Sequence, residues 1–351
     1  MIRKYFTGSF VFTLVAILLA GIVGQFYGGG ALIVSYVISA CLLAVLEVAV
    51  SLDNAVVNAG VLKDMDDKWR HRFLTWGMIV AVFGMRLVFP IAIVSVAGGI
   101  SPLVALNIGL FDPKQYQDLL TSVNTQVMAF GGSFLLMVFS SHFIDHEKDV
   151  HWIPGIGHLL SKVGKHGTAK LFVPILTILV FSSFLHSGKE MFLIAAFWGV
   201  VTYLMVDGLG ELFAVGEEAT TTVAKTGLAG FMYLEVLDAS FSFDGVIAAF
   251  AITNNFLIIM LGLSIGAMFV RSLTIMLVEK GTLSEFRYLE DGAFWGIGWL
   301  VVAMFLHVLH IEIGEVTVAG GAAAAIVLAT LHSISANKKD AKLGIVEADK
   351  E

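Results

Sequence analysis

The chain has 351 residues, of which 58% are hydrophobic and only 14% charged, with a mean hydropathy of +0.88 and a formal net charge of −7. That balance excludes a soluble globular protein and describes an integral membrane one; with no basic patch interleaved with aromatics, it also excludes nucleic acid as a ligand. The single cysteine, Cys41, excludes an intrachain disulfide and any multi-thiolate metal site, and its apolar neighbours point to a packed, inert thiol.

Apolar stretches near 20 residues match helices crossing a hydrocarbon core of roughly 30 Å. In chain order the expected spans are 9–27, 31–61, 73–97, 124–144, 171–186, 190–208, 228–253, 255–278, 293–310 and 316–335. The fold class that follows is an all-α polytopic membrane helix bundle of about ten transmembrane helices, with residues 1–351 forming one membrane domain. Arg3 and Lys4 followed by an apolar run to Val23 imitate a signal peptide, but no small-residue cleavage site follows, so this segment is expected to stay as the first helix. The second stretch is too long for one straight span and must be tilted, broken or longer than the bilayer is thick. Pro174 and the turn at 186–190 shorten the fifth and sixth. Residues 145–170, rich in Gly, His and Lys, read as a cytoplasmic loop with a short interfacial helix. The polar stretch 336–351 reads as a solvated cytoplasmic tail without structure.

Placing both termini in the cytoplasm puts 17 of the 21 basic residues on that side, with only Lys114 and Lys189 opposite and Arg86 and Arg271 inside spans. This asymmetry is the positive-inside bias of an integral protein of a plasma membrane. Spans two and seven, five crossings apart, then run in opposite directions. Each carries an acid-x-x-x-Ser-x-Asp motif, and each is followed by a span with one arginine. The expectation is a core of inverted repeats, 31–144 and 228–310, with the site at their interface.

The motifs carry the chemistry. Glu47-Val-Ala-Val-Ser51-Leu-Asp53-Asn54 lies in the second apolar run, and Asp238-Ala-Ser-Phe-Ser242-Phe-Asp244-Gly245 in the seventh. An ionised carboxylate at the bilayer centre costs about 2.5–3.5 kcal/mol on insertion scales, so four acids in matched positions need positive charge beside them. A bound cation supplies it. Glu47, Ser51, Asn54 and Asn58 follow one another at spacings that share a helical face. Asp53, six residues from Glu47, lies roughly 120° around a regular helix and about 9 Å along it. Asn54 and Gly245, each just after an Asp, tolerate left-handed backbone, so a helix break is expected at both, freeing carbonyls for coordination. The donors Glu47, Ser51, Asp53, Asn54, Asp238, Ser242 and Asp244 are hard oxygens, which suit Mg, Ca and Mn rather than Zn or Cu. Glu235, one turn before Asp238, is an auxiliary ligand, a proton carrier or a headgroup contact. Arg86 and Arg271 could balance carboxylates when no cation is bound, or form purely structural pairs with them.

Both motifs resemble those of the TerC superfamily of membrane proteins, whose first motif reads Glu-x-x-Leu-Ser-x-Asp-Asn and whose second reads Asp-x-x-Phe-Ser-x-Asp-Ser, followed by Ala-x-Phe-Ala-x-Thr. The chain matches at Glu47, Ser51, Asp53 and Asn54, then at Asp238, Phe241, Ser242 and Asp244, with Ala249-Phe250-Ala251-Ile252-Thr253 downstream. Val50 replaces the usual Leu, and Gly245 the usual Ser, which removes one potential ligand. The resemblance covers residues 31–280 and places the chain in a longer branch. It implies divalent-metal transport, chiefly Mn²⁺ export, in a bacterial plasma membrane, with Ca²⁺ or Mg²⁺ as other candidate cargoes and no enzymatic activity. The partners expected are the metal ion and the lipid bilayer; homo-oligomers are compatible with the sequence. The competing reading is a membrane-embedded scaffold or enzyme of a metal or tellurite stress-response complex.

Other polar groups have plainer expectations. His142 and His146, four apart with Asp145 between them, read as interfacial side chains. His307, His310, Glu312 and Glu315 read as a solvated rim. Asp207, Glu217 and Glu218 form an acidic cytoplasmic region that could collect cations. Gly320-Gly321 and Ala322–Ala325 read as close helix packing through small residues.

Overall fold

A computed structural model describes residues 2–28, 30–63, 65–77, 79–144, 150–164, 168–213, 227–249, 252–253, 255–280, 286–311, 313 and 315–342. Its helices are α1 (Ile2–Gly28), α2 (Gly30–Val50), α3 (Leu52–Lys63) and α4 (Asp67–Arg72), then two π-helical segments (Phe73–Gly77 and Val80–Val88) that lead into α5 (Phe89–Gly98). They continue with α6 (Pro102–Phe111), α7 (Pro113–Ser122), α8 (Asn124–Phe143), α9 (Pro154–Gly164), α10 (Ala169–Ser182), α11 (Lys189–Phe213), α12 (Gly227–Ala249), α13 (Phe256–Glu279), α14 (Leu289–Val308) and α15 (Glu315–Lys342). Among the described residues there is no strand. The molecule is an all-α polytopic helix bundle.

Among the described residues each expected apolar stretch is mainly helical, although residues 183–186 of the fifth and 252–253 of the seventh are not helix. By length and composition alone, five helices among the described residues can cross a membrane, and six if the bent pair Asp67–Gly77 and Val82–Val96 counts as one span. α2 and α10 are apolar but shorter. The third stretch is not a simple helix: its two halves meet at 44°, and it contains both π-helical segments. Wider i→i+5 turns loosen the hydrogen-bond ladder and commonly mark functional positions; Arg86 lies on the second of them.

α13 is the central element. It packs against α1, α2, α3 and the second π-helical segment. Two glycines make the α2 contact close. A Cβ on Gly262 would stand 2.5 Å from Leu43 Cβ and 2.9 Å from the Ala40 carbonyl; one on Gly266 would stand 2.6 Å from Glu47 Cγ and 2.9 Å from the Ala44 carbonyl. The same device recurs between α14 and α15, where Gly292 faces Ala329 and the Ala325 carbonyl, and Gly296 faces Ala322. With no hydrophobic drive between helices in lipid, such close approach is what holds them. The small-residue run of the last span therefore packs as expected on its alanine side, while Gly320 meets nothing.

Residues 98–123 form two short helices. Ser101 and Asp112 cap them by accepting from the Val104 and Gln115 amides, each with proline at the first helical position. At the other end, α15 runs on to Lys342, so the first part of the expected tail is helical. Ala336 and Ala341 are strong helix formers, and the lysines at 338, 339 and 342 complement the helix C-terminus. Cys41 is exposed on the outside of the bundle and not packed: α2 turns its other face, with Ala40, Leu43 and Ala44, toward the core.

Candidate functional site

The second apolar stretch is interrupted at Ser51, where α2 gives way to α3. The interruption is mild, because the Ser51 amide still donates to the Glu47 carbonyl (3.0 Å) and the Ala55 amide to the Ser51 carbonyl (3.2 Å). It falls within one turn of Asn54, as expected, but Asn54 does not enter the left-handed region. At Gly245 the expected break is absent: α12 continues through it to Ala249. One glycine in a helix interior costs only about 1 kcal/mol relative to alanine, too little to break a helix anchored by neighbours on both sides.

Glu47, Ser51, Asn54 and Asn58 are all buried, at 3–6% exposure, so the face they share points into the protein. Glu47 forms an ion pair with Arg86, which is itself 5% exposed. The Ser51 hydroxyl donates to the same carboxylate at 3.3 Å rather than to its own helix backbone. From α12, Asp238 accepts a hydrogen bond from Asn58 Nδ2 at 3.0 Å, so the two motif-bearing segments meet directly. Arg271 enters from α13 and stacks its guanidinium over the Phe73 ring, 4.7 Å from its centroid.

These groups surround a cavity of ≈ 30 Å³ lined by Ser51, Asn54, Asn58, Arg86, Asp238, Arg271 and Thr274, with Phe73, Ala267 and Val270 as its apolar wall. That volume accommodates a water, which needs about 10–15 Å³, or a small cation. Several buried polar atoms beside it lack a hydrogen-bond partner among the described residues: Asn58 Oδ1, Arg271 Nε and Nη2, and both carboxyl oxygens of Glu235. Glu235 lies against Gly77, whose Cβ, if present, would stand 2.8 Å from Oε1. Buried polar groups are almost always satisfied, and orphans grouped around one cavity point to a small polar occupant.

The site residues read from the sequence divide accordingly. Glu47, Ser51, Asn54, Asp238, Arg86 and Arg271 come together, and Glu235 adjoins them. The side chains of Asp53, Ser242 and Asp244 lie outside the described residues. Among the described residues, no three His, Cys, Asp or Glu side chains cluster as a metal site. Asn58 was legible from its place on the polar face; Phe73, Thr274 and Gly266 were not singled out. The G-x-x-x-G at 262–266 is the signal that could have found Gly266.

The remaining polar clusters are structural. His142 is packed against its neighbours: it stacks on Phe294 with ring centroids 3.5 Å apart and bonds Asp291 at 2.9 Å. Asp291, 4% exposed, also accepts the Trp152 amide at 2.8 Å. Asp145, His146, Glu217, Glu218 and Glu312 lie outside the described residues, as does the Glu315 side chain. His307 bonds Asn124 at 2.8 Å and ties the end of α14 to the start of α8. His310, with φ of 59°, is the left-handed residue just past the end of α14.

The chain matches the family described as "Protein of unknown function (DUF475)" over residues 52–340. Neither the comparison with curated proteins nor that with solved structures finds a match. The chain belongs to the DUF475 family.

Proposed function

We propose that this protein is a membrane transporter that exports a divalent cation, Mn²⁺ being the favoured cargo and Ca²⁺ or Mg²⁺ the others. The observation that carries the reading is a cavity lined by Ser51, Asn54 and Asn58 from one motif-bearing segment and Asp238 from the other. Its oxygens are carboxylate, hydroxyl and amide, the donor set of hard divalent ions. Asp53, Ser242 and Asp244 complete the proposed ligand set on the strength of the motifs. The likeness of both motifs to the TerC superfamily supports the same reading, as does the inverted-repeat core expected from two motif-bearing spans five crossings apart. The basic-residue asymmetry supports a plasma-membrane protein with both termini cytoplasmic.

The two arginines define the state without cargo. Arg86 neutralises Glu47, and Arg271 stands beside Asp238 and Glu235. An arriving cation competes with tethered guanidiniums for the same carboxylates, so affinity is held down and release is possible. A second reading has one observation in its favour: Glu47 and Arg86 are buried and paired as a structural strut would be, which suits a scaffold or enzyme of a stress-response complex. Reconstituted vesicles separate the two. Mn²⁺ flux that disappears in Asp238→Asn at normal protein yield supports transport. Absence of flux from well-folded wild-type protein, for every divalent ion tried, overturns it.

A further inference from the structure

α9 is docked on the bundle by one face and open on the other. The Trp152 amide, held by Asp291, fixes the start of the segment against α14. Gly157 lets the helix close onto the His151 ring, since a Cβ there would stand 2.6 Å from His151 Cβ, and Leu160 packs against the core. The opposite side carries Ile156 and Leu159, and the segment leading into the helix carries Val150 and Ile153, all exposed, with Leu159 at 63%. They recur every three residues, and Lys162 continues the row as an exposed cation.

Two observations say what covers this face. Five residues after α9, helix α10 begins, and its exposed Phe172, Ile175, Leu176 and Leu179 continue the apolar surface as an outward stripe on a membrane bundle. Residues 150–170 also contain Lys162, Lys165 and Lys170 and no acid. An apolar face bordered by cations and flanked by a tryptophan matches the water–hydrocarbon boundary of an anionic membrane. We propose that α9 lies in the bilayer surface and grips anionic phospholipid headgroups through Lys162 and Lys170. This holds whether or not the chain carries a cation, and it gives the connection between α8 and α10 a lipid-sensing role.

Because Cys41 is the only cysteine, one substitution, Cys41→Ser, gives a background for single-site labelling of the full chain. Leu159→Cys and, separately, Ile156→Cys in that background carry a fluorophore, with Lys338→Cys on the exposed end of α15 as the reference. Each protein is placed in phosphatidylcholine vesicles with or without phosphatidylglycerol, and quenching is measured with aqueous iodide and with acyl-brominated lipids. The expected result is that both α9 labels are shielded from iodide relative to the Lys338→Cys label and quenched by brominated lipid. Brominated phosphatidylglycerol should quench more than brominated phosphatidylcholine. Replacing Lys162 and Lys170 by Gln should remove that excess, each lysine carrying about fivefold in preference for anionic lipid. Iodide access equal to the reference overturns the proposal. So does shielding from both quenchers, which means that protein covers the face, and so does equal quenching by the two lipids.

Discussion

Gly266→Ala should damage the site without replacing any of its proposed ligands. In the structure the α2 backbone lies so close to α13 that a methyl at position 266 would sit 2.6 Å from Glu47 Cγ and 2.9 Å from the Ala44 carbonyl. Ordinary contacts between such atoms are about 3.5–4.0 Å. The carbonyl is backbone within a helix and cannot rotate away, so α2 and α13 must part by roughly 1 Å. Overpacking of this kind costs about 1–3 kcal/mol. The displacement acts directly on Glu47, whose carboxylate must stay in register with Arg86 and the Ser51 hydroxyl. Thermal unfolding of the purified protein in detergent, followed by intrinsic fluorescence, should show a lower transition for Gly266→Ala. Mn²⁺ flux per folded molecule should fall as well. Gly320→Ala is the control, because nothing stands within 4 Å of a Cβ there and alanine is the better helix former; it should leave both readings unchanged. If Gly266→Ala matches wild type in stability and flux, the close contact between α2 and α13 does not position the site and the reasoning fails.

Four further outcomes follow from the same geometry. Glu47→Gln strands Arg86 in a buried position and should cost about 3–5 kcal/mol; pairing it with Arg86→Met should restore much of the stability, measured by thermal unfolding, yet leave flux abolished. Asp53→Asn and Asp244→Asn keep size and hydrogen-bonding capacity while deleting charge, so membrane abundance by immunoblot should stay normal while Mn²⁺ accumulates in challenged cells; full efflux from either variant contradicts its role as a ligand. Arg271→Gln removes the tethered competitor, so Mn²⁺ should bind more tightly but leave more slowly, seen as a lower Kd with reduced flux; weaker binding would mean that Arg271 only supports the fold. Asp291→Asn weakens the bonds that hold His142 and the start of α9 and should cost about 1–3 kcal/mol, with flux per folded molecule unchanged.

The bundle was legible because hydrocarbon imposes a strong rule: long apolar runs must be helical, and polar groups within them must meet one another. The four polar residues at 47, 51, 54 and 58 could be assigned to one face from spacing alone, and the structure buries all four. What the sequence did not reveal depends on contacts with other helices. The break expected at Gly245 rested on local tolerance for left-handed backbone, but tolerance is permission only, and α12 keeps its helical conformation through that position. The π-helical turns around Arg86 have no sequence signature; the Ser264 hydroxyl, which donates to the Val82 carbonyl at 3.2 Å, reaches them from a helix 182 residues away in the chain. α6 and α7 were legible in principle, since Ser101-Pro102 and Asp112-Pro113 are N-cap and first-turn pairs. Attention to span length alone passes over helices of ten residues. Cys41 shows the same limit: apolar neighbours in sequence say nothing about which side of a lipid-facing helix a residue occupies.

Charge counting connects the site to the proposed cargo. Of the described carboxylates, Asp238 lines the cavity, while Glu47 and Glu235 interact with the two guanidiniums that line it, Arg86 and Arg271. Three acids against two bases leave no more than one negative charge, too little to attract a divalent ion out of water. Asp53 and Asp244, next to the cavity-lining segment and on the same helix as Asp238, would raise the deficit to three. A divalent cation together with one proton on the acids then brings the site to neutrality, the state least costly in a low-dielectric core. A monovalent cargo would need a second proton, and a trivalent one none. On this count the cargo and the proton are linked: loading Mn²⁺ onto a site that is neutral without it must release two protons, or displace the arginines from the carboxylates they balance. Proton release measured on Mn²⁺ binding in weakly buffered detergent solution distinguishes these routes. Two protons per ion indicate exchange at the acids, and none indicates that the guanidiniums move. Mn²⁺ uptake with neither proton release nor loss of the Glu47–Arg86 pair would refute the assignment of these carboxylates to the transported ion.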